Sequence, residues 1–324
     1  MRRSSSDVSQ PTSLSRAHPR WSLLAAAVLV GGGVLTTAGA GWSPAVLPDP
    51  DTHVLVVMLE TKGYAGTLGK CSADPYLCSL GAADASVTGW TGVRHPSQPD
   101  YFAATMGGTQ GCTSDTCFAT LSVPSLGGQL TAAAVPWTAY MESMPKPCYT
   151  GQWYGGTGSG SGALYAEKHD PFVVVKDVLN NGCSSHVLPY PGASGLIHDL
   201  SVSIPPKFVW ITPNQQNDMH TGTAQMGDKW LKTNIAPVLA SAWFTNSDTT
   251  VVISMDEHNG DNVGGGGSIP MVVVSHNASG SGNVAMKGNH YGLLRSIERA
   301  FGLPLLGAAG QAGNGDLTAL FGGL

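Results

Sequence analysis

The sequence lacks several patterns that would place it in a common class of protein. Its 324 residues contain only 16 lysine and arginine residues against 21 aspartate and glutamate residues, and such an acidic chain is not expected to bind nucleic acid. No GxSxG segment occurs, so the nucleophile elbow of the carboxylic-ester hydrolases is missing. No zinc-type CxxC pair occurs either. There are no internal repeats of the kind that build solenoids and propellers.

The first 40 residues have the features of an export signal. Four arginines precede an apolar stretch at residues 23–30, and the small-residue site Ala38-Gly39-Ala40 follows it. These arginines are Arg2, Arg3, Arg16 and Arg20. We predict that residues 1–40 are removed, which leaves 12 basic and 20 acidic residues, and that the protein is secreted or otherwise extracytoplasmic. The alternative is an uncleaved anchor, because the apolar stretch continues through glycines to Ala40 and approaches spanning length.

All six cysteines lie in the predicted mature chain. They are Cys71, Cys78, Cys112, Cys117, Cys148 and Cys183. An even number of cysteines in an exported chain is typical of disulfides. We choose the sequence-local pairing 71–78, 112–117 and 148–183 among the possible connectivities, and free buried thiols are the alternative.

Apolar, β-branched runs alternate with helical or loop stretches, and no break separates two cores. Strands are predicted at residues 53–59, 172–175, 207–212, 250–255 and 270–275, and helices at 228–242 and 291–301. Near-continuous apolar runs are typical of strands that are buried on both faces. We therefore predict an α/β fold over residues 41–324, with a mostly parallel sheet covered by helices on both faces.

Acidic side chains follow two of the predicted strands. Glu60 and Thr61 come directly after the first strand, and Asp256 and Glu257 come after the fourth. Side chains at the carboxyl ends of such strands point into the crevice where ligands bind. Buried carboxylates are costly to desolvate when unpaired, so one or two divalent cations of unknown identity are expected here. The alternative is a pair of exposed loop acids in a helix cap.

Ser97 is a candidate nucleophile. It precedes a predicted helix, and the N-terminus of a helix favours an anion. No base lies beside it in the sequence, so a divalent cation would have to lower the pKa of its hydroxyl. A histidine could then protonate the leaving group of a phosphate ester, or activate the water that releases a phosphoserine. Taken alone, Ser97 could be a helix N-cap and the histidines could be structural.

Seven segments, in this order, resemble the bacterial phosphoesterase family of secreted acid phosphatases and phospholipase C enzymes. They are HVLVVMLETKGYAGTLG, HPSQPDYFAATMGG, MESMPKPCY, YAEKHDPF, PNQQNDMHTGTAQMGDKWL, MDEHNGDN and NHYGLLRSIERAFGLPLLG. The likeness runs from about His53 to Gly307 and is nearest to short secreted acid phosphatases, some of which act on phosphoinositides. It implies the three-layer α/β/α sandwich of the alkaline phosphatase superfamily.

The resemblance also implies roles for individual residues. Ser97 would be the nucleophile, His220 and His290 would be catalytic, and a metal would be held by Glu60, Thr61, Ser97, Asp256 and Glu257. The substrate would be bound by His95, Asp100, His169 and Asn214. Two positions depart from the family, which usually has asparagine where this chain has Thr61 and Asp100. Thr61 would weaken one metal ligand, and an ionised Asp100 would repel a phosphoryl oxygen.

These observations predict a secreted, metal-dependent phosphomonoesterase that acts through a phosphoserine. Its substrate would be a small phosphate ester or a phosphoinositide, and it would contact a membrane only through a lipid substrate. Phospholipase C is the first alternative, although those enzymes are generally longer and this chain ends about twenty residues after its last motif. A degenerate, non-catalytic family member is the second. A sulfatase would need a modified Cys or Ser in a motif that is not seen.

Overall fold

An eight-stranded, mostly parallel sheet lies at the centre of the structure, a computed structural model that describes residues 51–277 and 282–323. The ten strands of the described residues are β1 Thr52–Leu59, β2 Ala85–Thr91, β3 Trp137–Met141, β4 Trp153–Tyr154, β5 Tyr165–Ala166, β6 Val187–Pro189, β7 Phe208–Thr212, β8 Asp248–Met255, β9 Met271–Ser275 and β10 Gly282–Asn289. Strands β4 and β5 form a separate hairpin.

Helices connect these strands and form the outer layers. They are α1 Pro75–Ala83, α2 Gln98–Met106, α3 Leu126–Ala132, α4 Lys176–Leu179, α5 Cys183–His186, α6 Gly192–Asp199, α7 Ala224–Leu239, α8 Ala242–Thr245 and α9 His290–Ala300. Short 3₁₀ turns occur at Gly160–Gly162, Glu167–His169, Val263–Gly265, Gly307–Gly310, Ala312–Asn314 and Thr318–Leu320. Helix α2 packs against α9, so two helices that begin at predicted site residues lie side by side.

The strand order is β10-β2-β9-β8-β1-β7-β3-β6. Strand β1 pairs in parallel with both β7 and β8, and all eight of its residues are buried. Its continuous apolar run is therefore explained by a central position with both faces covered. Strand β9 runs antiparallel to its neighbours β2 and β8. The predicted α/β fold with a mostly parallel sheet is confirmed.

Four of the five predicted strands are confirmed as β1, β7, β8 and β9. The strand predicted at residues 172–175 is wrong. Those residues are buried, but they form turns and a single bridge between Leu121 and Val175 before α4 begins. A short apolar run indicates burial without specifying the backbone conformation, and here burial alone produced the pattern.

The three predicted disulfides are present. Bonds join Cys71 to Cys78, Cys112 to Cys117 and Cys148 to Cys183, so the alternative of free thiols is wrong for all six. Each bond closes a short or medium loop, which is why the sequence-local choice was correct.

The predicted export signal at residues 1–40 lies outside the described residues, and both its cleavage and the alternative anchor stay predictions. The described residues belong to one compact unit, Ala45–Leu324. Within them, no helix is long and apolar enough to cross a membrane. A single domain over residues 41–324 also stays a prediction.

Candidate active site

The carboxyl ends of β1 and β8 bring two acidic segments together. Leu59 pairs with Met255 in the parallel register, so Glu60 and Asp256 follow neighbouring strands at the same level. Both side chains are fully buried. The Thr61 N–H donates to Asp256 Oδ1 over 3.2 Å, which ties the two segments to each other. The strand-end prediction therefore located these acids correctly, and they are not exposed loop residues.

Ser97 lies at the N-terminus of α2 but does not cap it. Its Oγ makes no capping hydrogen bond and instead donates to Glu257 Oε1 over 3.4 Å. Burial raises the pKa of Glu257, although the hydrogen bond from His95 opposes this. A carboxylate with a raised pKa is a suitable base for a serine hydroxyl. No candidate base lies beside Ser97 in the sequence, but the fold brings the Glu257 carboxylate to its hydroxyl from a segment that is distant in sequence.

His95 holds the other side of Glu257. Its Nδ1 contacts Glu257 Oε2, and its Nε2 lies 3.1 Å from the carbonyl oxygen of Asp261. When Glu257 is ionised, both partners accept hydrogen bonds, and a cationic imidazole with hydrogen on both nitrogens satisfies them. Partial burial lowers the pKa of His95, but Glu257 outweighs this and the net shift is upward. His95 thus contacts the carboxylate that faces Ser97, and its role in binding substrate stays a prediction.

A second group of side chains surrounds Glu60. His220 Nδ1 lies 2.7 Å from Glu60 Oε2, and His169 Nε2 contacts Glu60 Oε1. His169 Nδ1 is 3.3 Å from Asp218 Oδ2, so both nitrogens of this ring face carboxylates. Burial would raise the pKa of Glu60, but the charge and hydrogen bond of His169 hold it well below its usual value. Glu60 is therefore an anion that orients two histidines.

The donor set fits a bound cation. One ligand atom each from Glu60, His169 and His220 lies within 4.8 Å of the other two. Asp256 Oδ2 is buried and has no hydrogen-bond partner among the described residues, and an orphaned carboxylate oxygen is costly unless a cation compensates it. Of the predicted ligands, Glu60 belongs to this group, and Asp256 and Glu257 follow the end of the neighbouring strand. A mixed nitrogen and oxygen set suits a transition metal or zinc.

His290 begins α9 and is fully buried. Its Nε2 contacts the carbonyl oxygen of Asp256, which can only accept, so this nitrogen carries the hydrogen. Nδ1 then has a free lone pair, and it has no partner in the described part of the chain. Burial lowers the pKa of His290 to about 4. The ring is therefore neutral near neutral pH, where it is neither a good proton donor nor a good proton acceptor, and its Nδ1 lone pair could instead face a cation.

The amides at the start of α2 are not available to an anion. The Gln98 N–H donates to Asp115 Oδ1, and the Asp100 N–H donates to the Ser97 carbonyl. Pro99 has no N–H to offer. The expected anion site at this helix N-terminus therefore keeps the favourable helix dipole, but the first three residues of α2 offer an anion no free N–H group.

Asp100 has a structural task. Its Oδ1 accepts hydrogen bonds from the N–H groups of Val93 and Arg94, which shapes the turn that leads to His95. His290 Nε2 lies 3.6 Å from the same oxygen. Burial raises the pKa of Asp100 well above its usual value, and the charges of Glu257 and Glu60 add to this. The carboxyl group is therefore biased toward its neutral form, which softens the repulsion expected from the sequence.

The hydrogen bonds of Asn214 do not connect it to the side chains around Glu60. Its Nδ2 donates to Ser143 Oγ over 3.1 Å, and its Oδ1 accepts from the N–H groups of Gln216 and Asn217, each at 3.1 Å. These bonds close the loop that carries His220. A role for Asn214 in binding substrate stays a prediction, while its observed contacts shape this loop.

Sequence reasoning missed two charged residues of the site. Lys168 is only 4% exposed, and its Nζ lies 3.7 Å from Glu60 Oε1. Asp218 is fully buried beside His169, and its Oδ1 accepts the His220 N–H over 2.7 Å. A usable signal existed for both, because Lys168 precedes His169 directly and Asp218 lies between a strand end and His220.

Thr61 adopts a backbone conformation that suits asparagine better. Its φ is +67°, in the left-handed region, which is unfavourable for a β-branched residue and tolerated by asparagine. We expect Thr61→Asn to raise the thermal midpoint by about 2–4 °C, because relieving such strain contributes on the order of 1 kcal/mol. The amide oxygen should also lower the metal concentration needed for half-maximal activity.

The control for this prediction is Gln110→Asn, since Gln110 also has a positive φ, +53°, and takes no part in the site. It should raise the thermal midpoint without changing the metal requirement. Differential scanning calorimetry and a metal titration measure the two effects, and a lower midpoint for Thr61→Asn would contradict the strain argument.

Comparison with known proteins identifies the family of this chain. Residues 72–304 match the Phosphoesterase family. A phosphatidylinositol-3-phosphatase from Mycobacterium tuberculosis is 30% identical over 267 residues, which cover 80% of each chain. An acid phosphatase from Aspergillus fumigatus is 29% identical over 245 residues, which cover 73% of this chain but only 52% of the fungal protein.

A solved structure with a similar fold is a protein in the alkaline phosphatase superfamily from Vibrio parahaemolyticus. It superimposes with a TM-score of 0.53 at 12% identity, covering 80% of this chain and 68% of the other. This likeness supports the three-layer fold alone. The family match covers most of the chain and carries the functional conclusion. The chain therefore belongs to the Phosphoesterase family, and it is a phosphoric-ester hydrolase.

Proposed function

We propose that this protein is an exported, metal-dependent phosphomonoesterase that works through a phosphoserine at Ser97. The observation that carries the proposal is the meeting of the Ser97 hydroxyl with Glu257, next to the buried strand-end acids Glu60 and Asp256. Phosphoryl transfer of this kind requires a nucleophilic hydroxyl, a base and carboxylates that can bind a cation.

In the first step, Ser97 Oγ gives its proton to Glu257 and attacks phosphorus. The Oγ–P bond forms while the ester P–O bond breaks, and the departing oxygen takes a proton. His220 is the best placed donor, because Glu60 orients its ring and its side chain is partly open to solvent. A cation bound by Glu60, His169 and Asp256 would neutralise charge on the phosphoryl oxygens and lower the pKa of the serine hydroxyl, and His220 would then be free for proton transfer.

In the second step, water attacks the phosphoserine and Ser97 is regenerated. The group that protonated the leaving oxygen is now a base, so His220 removes a proton from the water. Glu257 returns its proton to Ser97 Oγ as the O–P bond breaks. His95 stays bound to Glu257 and keeps the carboxylate aimed at Ser97 through both steps.

The substrate is a small phosphate monoester, and a phosphoinositide is one candidate. The Mycobacterium tuberculosis relative is named as a phosphatidylinositol-3-phosphatase and the Aspergillus fumigatus relative as an acid phosphatase. Three disulfides are typical of an oxidising compartment, which supports export.

A substrate panel combined with metal removal tests this function. p-Nitrophenyl phosphate, bis(p-nitrophenyl) phosphate and a short-chain phosphatidylinositol 3-phosphate would be compared at equal concentrations. We expect kcat/KM to be highest for a monoester, loss of activity after dialysis against EDTA, and recovery with one type of divalent ion. A preference for the diester would favour the phospholipase C alternative, and full activity after prolonged chelation would rule out the metal.

Replacing Asp100 by asparagine should change the pH profile. Wild-type activity is expected to fall as the pH rises through the raised pKa of Asp100, because the ionised carboxylate then repels the phosphoryl group. Asparagine keeps an oxygen for the N–H groups of Val93 and Arg94 but never ionises. We therefore expect Asp100→Asn to raise kcat/KM near neutral pH in a pH-rate profile, with little effect at acidic pH. A loss at every pH would show that the carboxyl group has a positive role.

A further inference from the structure

The loop closed by the Cys112–Cys117 disulfide is attached to the residue that follows the nucleophile. Gln98 Nε2 donates to the Cys117 carbonyl over 3.3 Å, and the Cys117 N–H donates to Gln98 Oε1 over 2.7 Å. Gln98 is fully buried, so this pair of hydrogen bonds is shielded from water. The loop and the start of α2 therefore hold each other in a fixed relation.

Asp115, at the centre of this loop, links two parts of the site with one carboxylate. Its Oδ1 accepts the Gln98 N–H over 3.1 Å, and its Oδ2 accepts from Lys168 Nζ over 2.8 Å. Lys168 is 4% exposed, whereas Asp115 is 30% exposed. The same lysine also lies near Glu60, so Asp115 and Lys168 together connect the start of α2 to the acidic cluster, which is Glu60 and the strand-end acids beside it.

The first turn of α2 leaves Ser97 Oγ without a backbone N–H to accept. A capping serine normally accepts the N–H of the second or third helical residue, but here the second is Pro99 and the N–H of the third, Asp100, donates to the Ser97 carbonyl. Asp115 accepts the remaining N–H, that of Gln98, and Ser97 Oγ is directed at Glu257. A buried ammonium group is also costly unless it is paired, and Asp115 supplies the nearer of the two carboxylates around Lys168.

We propose that Asp115 is a positioning residue, which binds the first N–H of the nucleophile helix and holds Lys168 beside Glu60. The proposal rests on the assignment of Ser97 as the nucleophile. Asp115 itself touches no reacting atom, so its effect is on the orientation of Ser97 and Lys168. Misplacing a reacting group by about 1 Å can cost up to about 100-fold in rate.

Two substitutions separate the two contacts. Asp115→Asn keeps an oxygen for the Gln98 N–H but turns an amide N–H₂ toward Lys168, whereas Asp115→Ala removes both acceptors. We expect kcat on p-nitrophenyl phosphate to fall about tenfold for asparagine and more for alanine, with KM changed by less than about threefold. Amide hydrogen exchange of a peptide covering residues 95–106 should speed up in the alanine variant only.

Asp177 provides the matched control. Its carboxylate accepts the Ser125 N–H and the Ser125 hydroxyl at the start of α3, away from the acidic cluster. Asp177→Ala should lower the thermal midpoint and speed exchange around residues 125–132, while kcat of the folded protein stays at the wild-type value. The value of kcat therefore distinguishes Asp177, whose carboxylate is only structural, from Asp115, whose carboxylate positions the site.

Each outcome decides the matter. Wild-type kcat in both Asp115 variants, together with an inactive Ser97→Ala, would overturn the proposal and leave the nucleophile assignment intact. Equal losses of kcat for Asp115→Ala and Asp177→Ala would overturn it as general destabilisation. Activity in Ser97→Ala would refute the nucleophile assignment. In that case, unchanged amide hydrogen exchange of residues 95–106 in Asp115→Ala would also refute the role of Asp115 at the start of α2. If the alanine variant does not fold, kcat of Asp115→Asn decides alone.

Discussion

Ser97→Ala is expected to abolish phosphomonoester hydrolysis while the protein keeps its fold. Without Oγ there is no group to accept the phosphoryl, and the base Glu257 has nothing to deprotonate. Removing the nucleophile of a covalent mechanism typically costs several orders of magnitude in kcat. The measurement is a steady-state assay with p-nitrophenyl phosphate on protein whose folding has been checked by thermal unfolding.

The structure also predicts that this substitution costs little stability. Ser97 Oγ makes no capping hydrogen bond, whereas Ser125 caps α3 by accepting the Gly128 N–H over 3.2 Å. Ser125→Ala should therefore lose about 1 kcal/mol of unfolding free energy with normal turnover. The two alanine variants should show opposite patterns, with activity lost in one and stability lost in the other.

Acid quenching provides direct evidence for the intermediate. Wild-type protein mixed with a ³²P-labelled monoester and quenched in acid should retain label on Ser97, because phosphoserine is stable in acid. The alanine variant should retain none. Normal turnover by Ser97→Ala, or label on another residue, would refute the assignment of Ser97 as nucleophile.

The sequence predicted the fold where burial and hydrogen bonding agree. Strands β1, β7 and β8 are continuous apolar runs because both faces are covered, and α9 was placed within one residue at each end because Asn289 caps it and Gly302 follows it. Strands β2, β3, β4, β5, β6 and β10 were missed. In β10 half-buried and exposed positions alternate, and a sequence with two glycines gives no apolar pattern.

Helix α7 shows how a helix boundary can be missed. The predicted helix began at residue 228, but α7 begins at Ala224 because Thr223 accepts the Met226 N–H and caps it. The apolar spacing used for the prediction becomes regular only after the first turn. A possible threonine cap, Thr223, five residues before the predicted start, was visible in the sequence and would have corrected it.

The site could be predicted where its residues directly follow strands, and not where they lie on loops. Glu60, Asp256 and Glu257 were found because they follow apolar runs, and they meet because β1 and β8 are adjacent in the sheet. The proposed role of Glu257 as the base for Ser97 was not predicted, because the two residues are 160 positions apart in sequence and only the fold makes them neighbours. Asp115 was missed for the same reason, because its partners lie in two other segments.

Asp256→Asn is expected to remove cation binding and lower kcat by about 10²- to 10³-fold, the range typical of a lost electrostatic contact to a reacting group. Asp256 Oδ1 accepts the N–H groups of Thr61 and Glu257, and an amide oxygen can do the same. Oδ2, which has no hydrogen-bond partner among the described residues, becomes an N–H₂ group that repels a cation. The substitution therefore removes one carboxylate oxygen from the cation site and keeps the two hydrogen bonds from the backbone.

Thermal unfolding separates the loss of the ion from damage to the fold. Burial, with the charges of Glu60 and Glu257, raises the pKa of Asp256 well above its usual value, so a neutral asparagine should not destabilise the metal-free protein. A divalent ion that binds only the folded state should raise the wild-type midpoint and leave that of Asp256→Asn unchanged. Glu298→Gln is the control, because Glu298 is also buried, its pKa is raised by burial to about 8, and it lies at the far end of α9 from His290. That variant should keep both the ion-induced shift and the activity. An ion-induced shift of wild-type size in Asp256→Asn would mean that the cation is held elsewhere, by Glu60 and the histidines without this strand end.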